Sequence, residues 1–262
     1  MDLFIKEFKK IVPLAYPWQG EGFLPKLGLC GTLNDGIFNS DDVSIEDKIG
    51  IKTVTETDHR PPDIKEFSSL KNIQWVSELG AEGKSIVKSI KIKGKFLFMP
   101  LNFNSVGEFY YRAIHLNRDY IYAPKQILES PIKMALKDGK WRKNDVVITA
   151  ILYGKNPVTL KTTEKGTSII IGGNISGGLR DSDINFKIEF IHSNKSISTR
   201  HIIDPNEEVI VGFEMMGLKG YLSKRLEKYK GEHTDNSYDI FKDIYDDFPE
   251  NEPYMEYMLD YV

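Results

Sequence analysis

Two stretches of this sequence have room for few structures other than β-strands. From Val146 to Leu152 the chain is apolar at every position but Thr149, as a strand covered on both faces would be. From Asp183 to Ile191 it alternates: Ile184, Phe186, Ile188 and Phe190 fall on one side, Asn185, Lys187 and Glu189 on the other. Val158-Thr159-Leu160 and Val209 to Met216 read as further strands. Ile90-Lys91-Ile92-Lys93 with Phe96-Leu97-Phe98 reads as a strand with a basic face. Residues 26–60 read as short strands and turns, with Asn34-Asp35-Gly36 as a turn.

Helical patterns interrupt this β-rich background. Residues 2–12 form an amphipathic helix in which Phe4, Phe8, Ile11 and Val12 share a face, and which stops before Pro13. Ser105-Val106-Gly107-Glu108 has the form of a capping box, so a helix is expected from there to about Asn117. Pro124 and Ser130-Pro131 each suit the start of a further short helix, and residues 221–229 suit a last basic one. Pro61-Pro62 is expected to break the chain, and the run from 63 to 80 fits helix or strand equally. The mixture is α+β.

Composition bounds what such a fold can be. The chain has 262 residues, 40% of them apolar, which is enough for a sizeable core and excludes disorder as the dominant state. One cysteine, Cys30, excludes an internal disulfide framework and a cysteine-based zinc site, and fits a reducing compartment. No apolar run approaches the length of a membrane-spanning helix, and Met1-Asp2-Leu3-Phe4 does not open a signal peptide. A soluble, cytoplasmic chain is expected.

Charge is distributed unevenly. Residues 231–262 hold ten acidic residues against one basic, a net −9, which leaves the rest of the chain at +6. A basic body favours anionic partners. Within the acidic segment, Ile240, Phe241, Ile244, Tyr245 and Phe248 recur at helical spacing and would form one apolar face. Tyr254, Met255, Tyr257, Met258, Leu259 and Tyr261 follow Pro249. So many large apolar groups suit a segment that docks back onto the body, while a solvated acidic tail is the plainer alternative. The polar linker from Lys228 to Asp235 is expected to be exposed and open to proteolysis, with Asp235 and Asp239 as the candidate cleavage region.

Catalytic and cofactor motifs are missing. Gly166 to Gly178 is glycine-rich but carries neither the P-loop spacing nor a dinucleotide fingerprint, and reads as a loop or hairpin. His59, His115, His192, His201 and His233 are scattered with no metal-binding pair. No nucleic-acid-binding module is recognisable. The expectation is no enzyme, no metal and no cofactor.

The stretch from Gly139-Lys140-Trp141 to Lys219 resembles the gasdermins, a family of pore-forming proteins of animals, fungi and bacteria. Val146-Val147-Ile148-Thr149-Ala150-Ile151-Leu152-Tyr153 is similar to a characteristic strand of that family. Pro157-Val158-Thr159-Leu160, Gly166-Thr167-Ser168-Ile169, the alternating strand, a turn near Pro205-Asn206 and Val209-Ile210-Val211-Gly212-Phe213 follow in the family's order. The N-terminal helix and Phe23-Leu24-Pro25 also fit, and between about 31 and 130 the likeness is one of order and hydropathy. The short C-terminal part resembles that of bacterial and fungal members.

The resemblance implies a twisted, mostly antiparallel sheet with surrounding helices. It divides the chain into a pore-forming domain, residues 1–230, and an autoinhibitory C-terminal segment, residues 231–262. On release, by an activating protease or a partner protein, the body would bind anionic membrane lipids, oligomerise and unfold residues 66–103 and 165–203 into hairpins of a large β-barrel pore. The implied outcome is membrane permeabilisation and programmed cell death of the pyroptotic kind, in innate or antiviral defence. The protein would be cytoplasmic when inactive and at the cell membrane as a pore. Lys6, Lys9, Lys10, Lys84, Lys88, Lys91, Lys93 and Lys95 are the candidate lipid-binding residues, and Ile240, Phe241, Ile244, Tyr245 and Phe248 the candidate autoinhibitory contacts. The alternatives are a soluble α+β binding protein that uses its basic face for nucleic acid or an acidic partner, and an enzyme with a site gathering His59, His115 or His201.

Overall fold

The computed structural model describes residues 3–18, 22–34, 37–71, 73, 96–174, 187–193, 197–201, 207–219 and 254–257. In chain order these contain α1 (Leu3–Ile11), β1 (Ala15–Pro17), β2 (Leu29–Asn34), β3 (Ile37–Ser44), α2 (Ile45–Ile49), β4 (Thr55–Ser68), β5 (Phe96–Phe103) and β6 (Phe109–Ile121). They continue with α3 (Pro124–Lys137), β7 (Asp145–Thr162), β8 (Thr167–Asn174), β9 (Lys187–Ser193), β10 (Ile197–His201), β11 (Val209–Lys219) and β12 (Tyr254–Tyr257). The fold is α+β, a curled antiparallel half-barrel sheet with helices around it.

β7 is the spine of the larger sheet. Along one side it pairs first with β11 and then with β10. Along the other it pairs with β2 at its start and β6 further on. β3 extends the sheet beyond β2, β4 beyond β6, and β1 and β12 both lie on the outer edge of β11. The sequence suggests two strands between 146 and 160, but β7 runs through Pro157 as one strand of 18 residues. Proline lacks the N–H a ladder needs. The gap is accommodated because β11 pairing ends at Gly154, β10 pairing begins at Val158, and the β6 register shifts at the same place.

A second, three-stranded sheet has the order β5-β8-β9. Its Met99, Leu101, Phe103, Ile169 and Ile171 are buried against Tyr110, Val158 and Leu160 of β6 and β7. Gly172 and Gly173, expected in a loop or hairpin, lie within β8. On the opposite side of the spine, α3 buries Leu128, Ile132 and Ala135 against Cys30, Val147, Met216 and Leu218.

Several local expectations are overturned. The helix expected from Ser105 to Asn117 is strand β6. The capping chemistry is still present, since Glu108 Oε2 accepts from the backbone N–H of Asn104 at 2.6 Å and Ser105 at 3.2 Å. It closes a turn, because Phe109, Tyr111 and Ala113 are buried under α1 while Tyr110 is buried in the layer beneath the second sheet. A strand covered on both faces has no alternation to distinguish it from a helix. The two short helices expected at Pro124 and Pro131 are one helix, with Pro124 at its first turn and Pro131 inside it. Pro61-Pro62 does not end the strand: β4 continues past it with a register shift between His59 and Asp63, on an edge where the missing N–H groups cost no ladder bond.

The β-barrel is also corrected. Among the described residues the larger sheet is open: β3 and β4 are its edges on one side of the spine and β1, β12 and β10 its edges on the other, so no described strand closes it into a barrel. Among the described residues no helix is long and apolar enough to cross a membrane.

Candidate interaction surface and C-terminal strand

α1 is fixed by its aromatic side. Phe4 and Phe8 are buried among Phe67, Phe109 and Tyr111, with Phe4 edge-on to Phe109 at 5.2 Å and Phe8 edge-on to Tyr111 at 5.5 Å. Pairs of this geometry add about 0.5–1.5 kcal/mol beyond the burial itself. Gly212 of β11 makes the fit possible, because a Cβ there would lie 2.8 Å from the Tyr16 carbonyl and 3.2 Å from Phe8 Cζ.

Anchoring that face turns the lysines of α1 outward. Lys6 and Lys10 are exposed and Lys9 is partly so. Lys10 Nζ pairs with Glu7 at 2.5 Å, and Lys9 Nζ sits 3.6 Å from the centre of the Tyr16 ring. The three are thus gathered on one helix surface, as the sequence spacing suggests. Lys84, Lys88, Lys91, Lys93 and Lys95 lie outside the described residues.

Beneath α1, His115 Nε2 lies 3.0 Å from Tyr111 Oη. Burial, assisted by the nearby Lys65 ammonium, pushes His115 down from 6.5 to about 4, with Asp63 opposing. His59 is instead on the surface, its Nδ1 3.2 Å from Asn117 Oδ1. His201 is in β10, so these histidines sit on separate strands. Among the described residues no three His, Cys, Asp or Glu side chains are grouped to hold a metal ion.

Where β2, β3, α2 and β7 meet, four charges interlock. Asp145 is fully buried; its Oδ2 accepts from Lys48 Nζ at 2.7 Å and its Oδ1 from Arg142 Nε at 2.8 Å. Asp41 accepts from the same two cations, at 2.8 Å from Lys48 and 2.9 Å from Arg142. Burial alone would raise Asp41 and lower Lys48. Their partners outweigh it, holding the Asp41 carboxyl below its usual range and the Lys48 ammonium above its own. Cys30 lies nearby, fully buried, its thiol pushed up to about 12 by burial. Such a thiol is protonated and inert at neutral pH.

The acidic C-terminal segment returns to the body as a strand. β12 runs antiparallel to β11, with Tyr257 opposite Met216, Glu256 opposite Gly217, Met255 opposite Leu218 and Tyr254 opposite Lys219. It also lies beside α3. Ile240, Phe241, Ile244, Tyr245 and Phe248, and the candidate cleavage residues Asp235 and Asp239, lie outside the described residues. Helical spacing drew attention to 240–248, whereas the described contact is made by the run Tyr254-Met255-Glu256-Tyr257. Its aromatic and alternating character was the available signal for a strand.

No protein-family model matches the chain, and no curated protein matches it.

Proposed function

We propose that this chain is a latent, gasdermin-like protein whose body acts on anionic membranes once its C-terminal segment is released. In this reading the restrained form is cytoplasmic. The released form binds the cell membrane, associates with further copies there and makes it leak, causing cell death in innate or antiviral defence. The trigger is a protease or a partner protein. The open sheet keeps a β-barrel out of this reading.

The observation that carries it is the seating of β12, part of a segment of net charge −9, on a body of net charge +6. Release would remove that negative charge from the body and uncover the edge of β11. Lys6, Lys9 and Lys10 already face outward on a helix whose other face is anchored. Near an anionic leaflet each basic residue contributes about 1 kcal/mol.

The test is dye release from anionic liposomes by the full chain carrying a protease site at residues 231–235. Leakage is expected only after cleavage. Replacing Lys6, Lys9 and Lys10 together by Gln should weaken vesicle binding by about a hundredfold. Leakage before and after cleavage would remove the restraint from the reading. No leakage from folded, cleaved protein across several anionic lipids would favour a soluble binding protein.

A further inference from the structure

The outer edge of β11 is shared by two short strands from opposite ends of the chain. β1 occupies Gly212 to Glu214, and β12 occupies Met216 to Lys219. The two are held very differently. β1 is joined to α1 by three residues, and α1 is anchored by Phe4 and Phe8. β12 is joined to β11 by residues 220–253, 34 residues that would span at most roughly 110 Å when extended. Among the described residues it is held by four residue pairs with β11 and by lying beside α3.

A strand held by main-chain pairing at an edge can be replaced by any segment that offers the same pairing and register. Register sets the rest of the specificity. Met255 and Tyr257 stand opposite Leu218 and Met216, which are buried in the layer beneath α3, while Glu256 and Tyr254 stand opposite Gly217 and Lys219. An occupant in this register is an extended segment whose residues two apart stand opposite Met216 and Leu218.

We infer that Met216–Lys219 of β11 is a strand-acceptor site, filled in cis by Tyr254–Tyr257 and open, when that strand is unseated, to the same segment of a second copy of this chain. The connection of residues 220–253 is long enough for the segment to reach a neighbouring molecule. This deepens the preceding reading by naming where the restraint is held. It rests on that reading only for its consequence at a membrane, so its test contains no lipid.

Two full-length variants separate the two halves of the site. Met255→Pro removes the N–H opposite Leu218 and leaves the acceptor vacant. Lys219→Pro damages the acceptor beyond Gly217, the last β11 residue paired with β7, and leaves the C-terminal strand intact but unseated. Each variant alone is expected to be monomeric by light scattering. Mixed, they should form a one-to-one heterodimer. A labelled peptide of residues 250–260 should bind Met255→Pro at least tenfold more tightly than the unaltered chain, and Lys219→Pro not at all. Amides of 216–219 should exchange faster in Met255→Pro and recover protection when peptide is added.

Folded variants that stay monomeric on mixing, with no gain in peptide binding, would overturn the inference. Peptide binding without a heterodimer would overturn the second copy as occupant and leave the acceptor site. Should Met255→Pro fail to fold, Tyr254→Pro at the end of the strand is read in the same way. A failure of dye release in the lipid experiment leaves these outcomes unaffected.

Discussion

The fold opposes protonation of His115. It lies under α1 with its Nε2 against Tyr111 Oη and its ring 6.4 Å from that of Phe8. Its folded value of about 4 lies below the ordinary 6.5. Between those values the unfolded chain binds a proton that the folded chain does not, so stability falls as pH drops from about 6.5 toward 4. The loss should approach about 3 kcal/mol and then level off. Urea unfolding at pH 7 and pH 4.5 would measure it. In His115→Gln the drop should shrink by most of that amount, leaving the part owed to carboxylates. In the sequence this residue is one of five scattered histidines, and nothing local in Ala113-Ile114-His115 names Tyr111 or Phe8 as neighbours. Tyr111 lies on the same strand, and the Phe8 contact arises only once α1 packs against it. The outward turn of Lys6, Lys9 and Lys10 was legible, because Phe4 and Phe8 four residues apart leave that helix one way to dock.

The elements depend on one another most at Asp145. This fully buried carboxylate ties the first residue of β7 to α2 through Lys48, and both cations it binds also reach Asp41 of β3. Removing Asp145 leaves Lys48 and the mostly exposed Arg142 with Asp41 alone, so the cost should lie at or below the low end for a broken buried ion pair, about 2–3 kcal/mol. Asp145→Ala should lower the denaturant midpoint accordingly. Reversing charge alone at exposed Lys52, whose nearest carboxylate is 3.9 Å away, should change it by less than about 1 kcal/mol. At this scale the sequence was readable where one face of an element is wet. α1 and the 209–216 strand were found, and the turn at Asn34-Asp35-Gly36 is flanked by the pair Asn34 and Ile37. It misled where both faces are covered or a proline intervenes. β6 looked helical, β7 looked like two strands and α3 like two helices, because tertiary cover overrode local punctuation.

The whole molecule is organised by pairings that periodicity cannot name. An alternation of two marks a strand without marking its neighbour, so an α+β composition was legible while the strand order was not. The barrel expected of the assembled pore is overturned at this scale, because the described strands form an open sheet. The charge division, in contrast, is a whole-chain property readable from sequence alone. It carries its own prediction: vesicle binding by the cleaved protein should fall several-fold when salt is raised from about 0.15 M to 0.5 M, as screening shortens the reach of the lysines. Cosedimentation measures this, and binding indifferent to salt would show that charge is not what holds the body to the vesicle.

The placement of β1 on β11 also sets a schedule for synthesis. Ala15 pairs with Glu214, so the N-terminal part of the chain leaves the ribosome about 200 residues before its partner exists. At roughly 5–20 residues per second, that is a wait of roughly 10–40 seconds. Throughout it, Phe4 and Phe8 have β4 and β6 to rest on from midway, but β1 has no strand to join. The nascent chain therefore carries an unpaired apolar start through most of translation, a ready hold for a ribosome-associated chaperone. The larger sheet can acquire this edge only when nearly the whole body has been made.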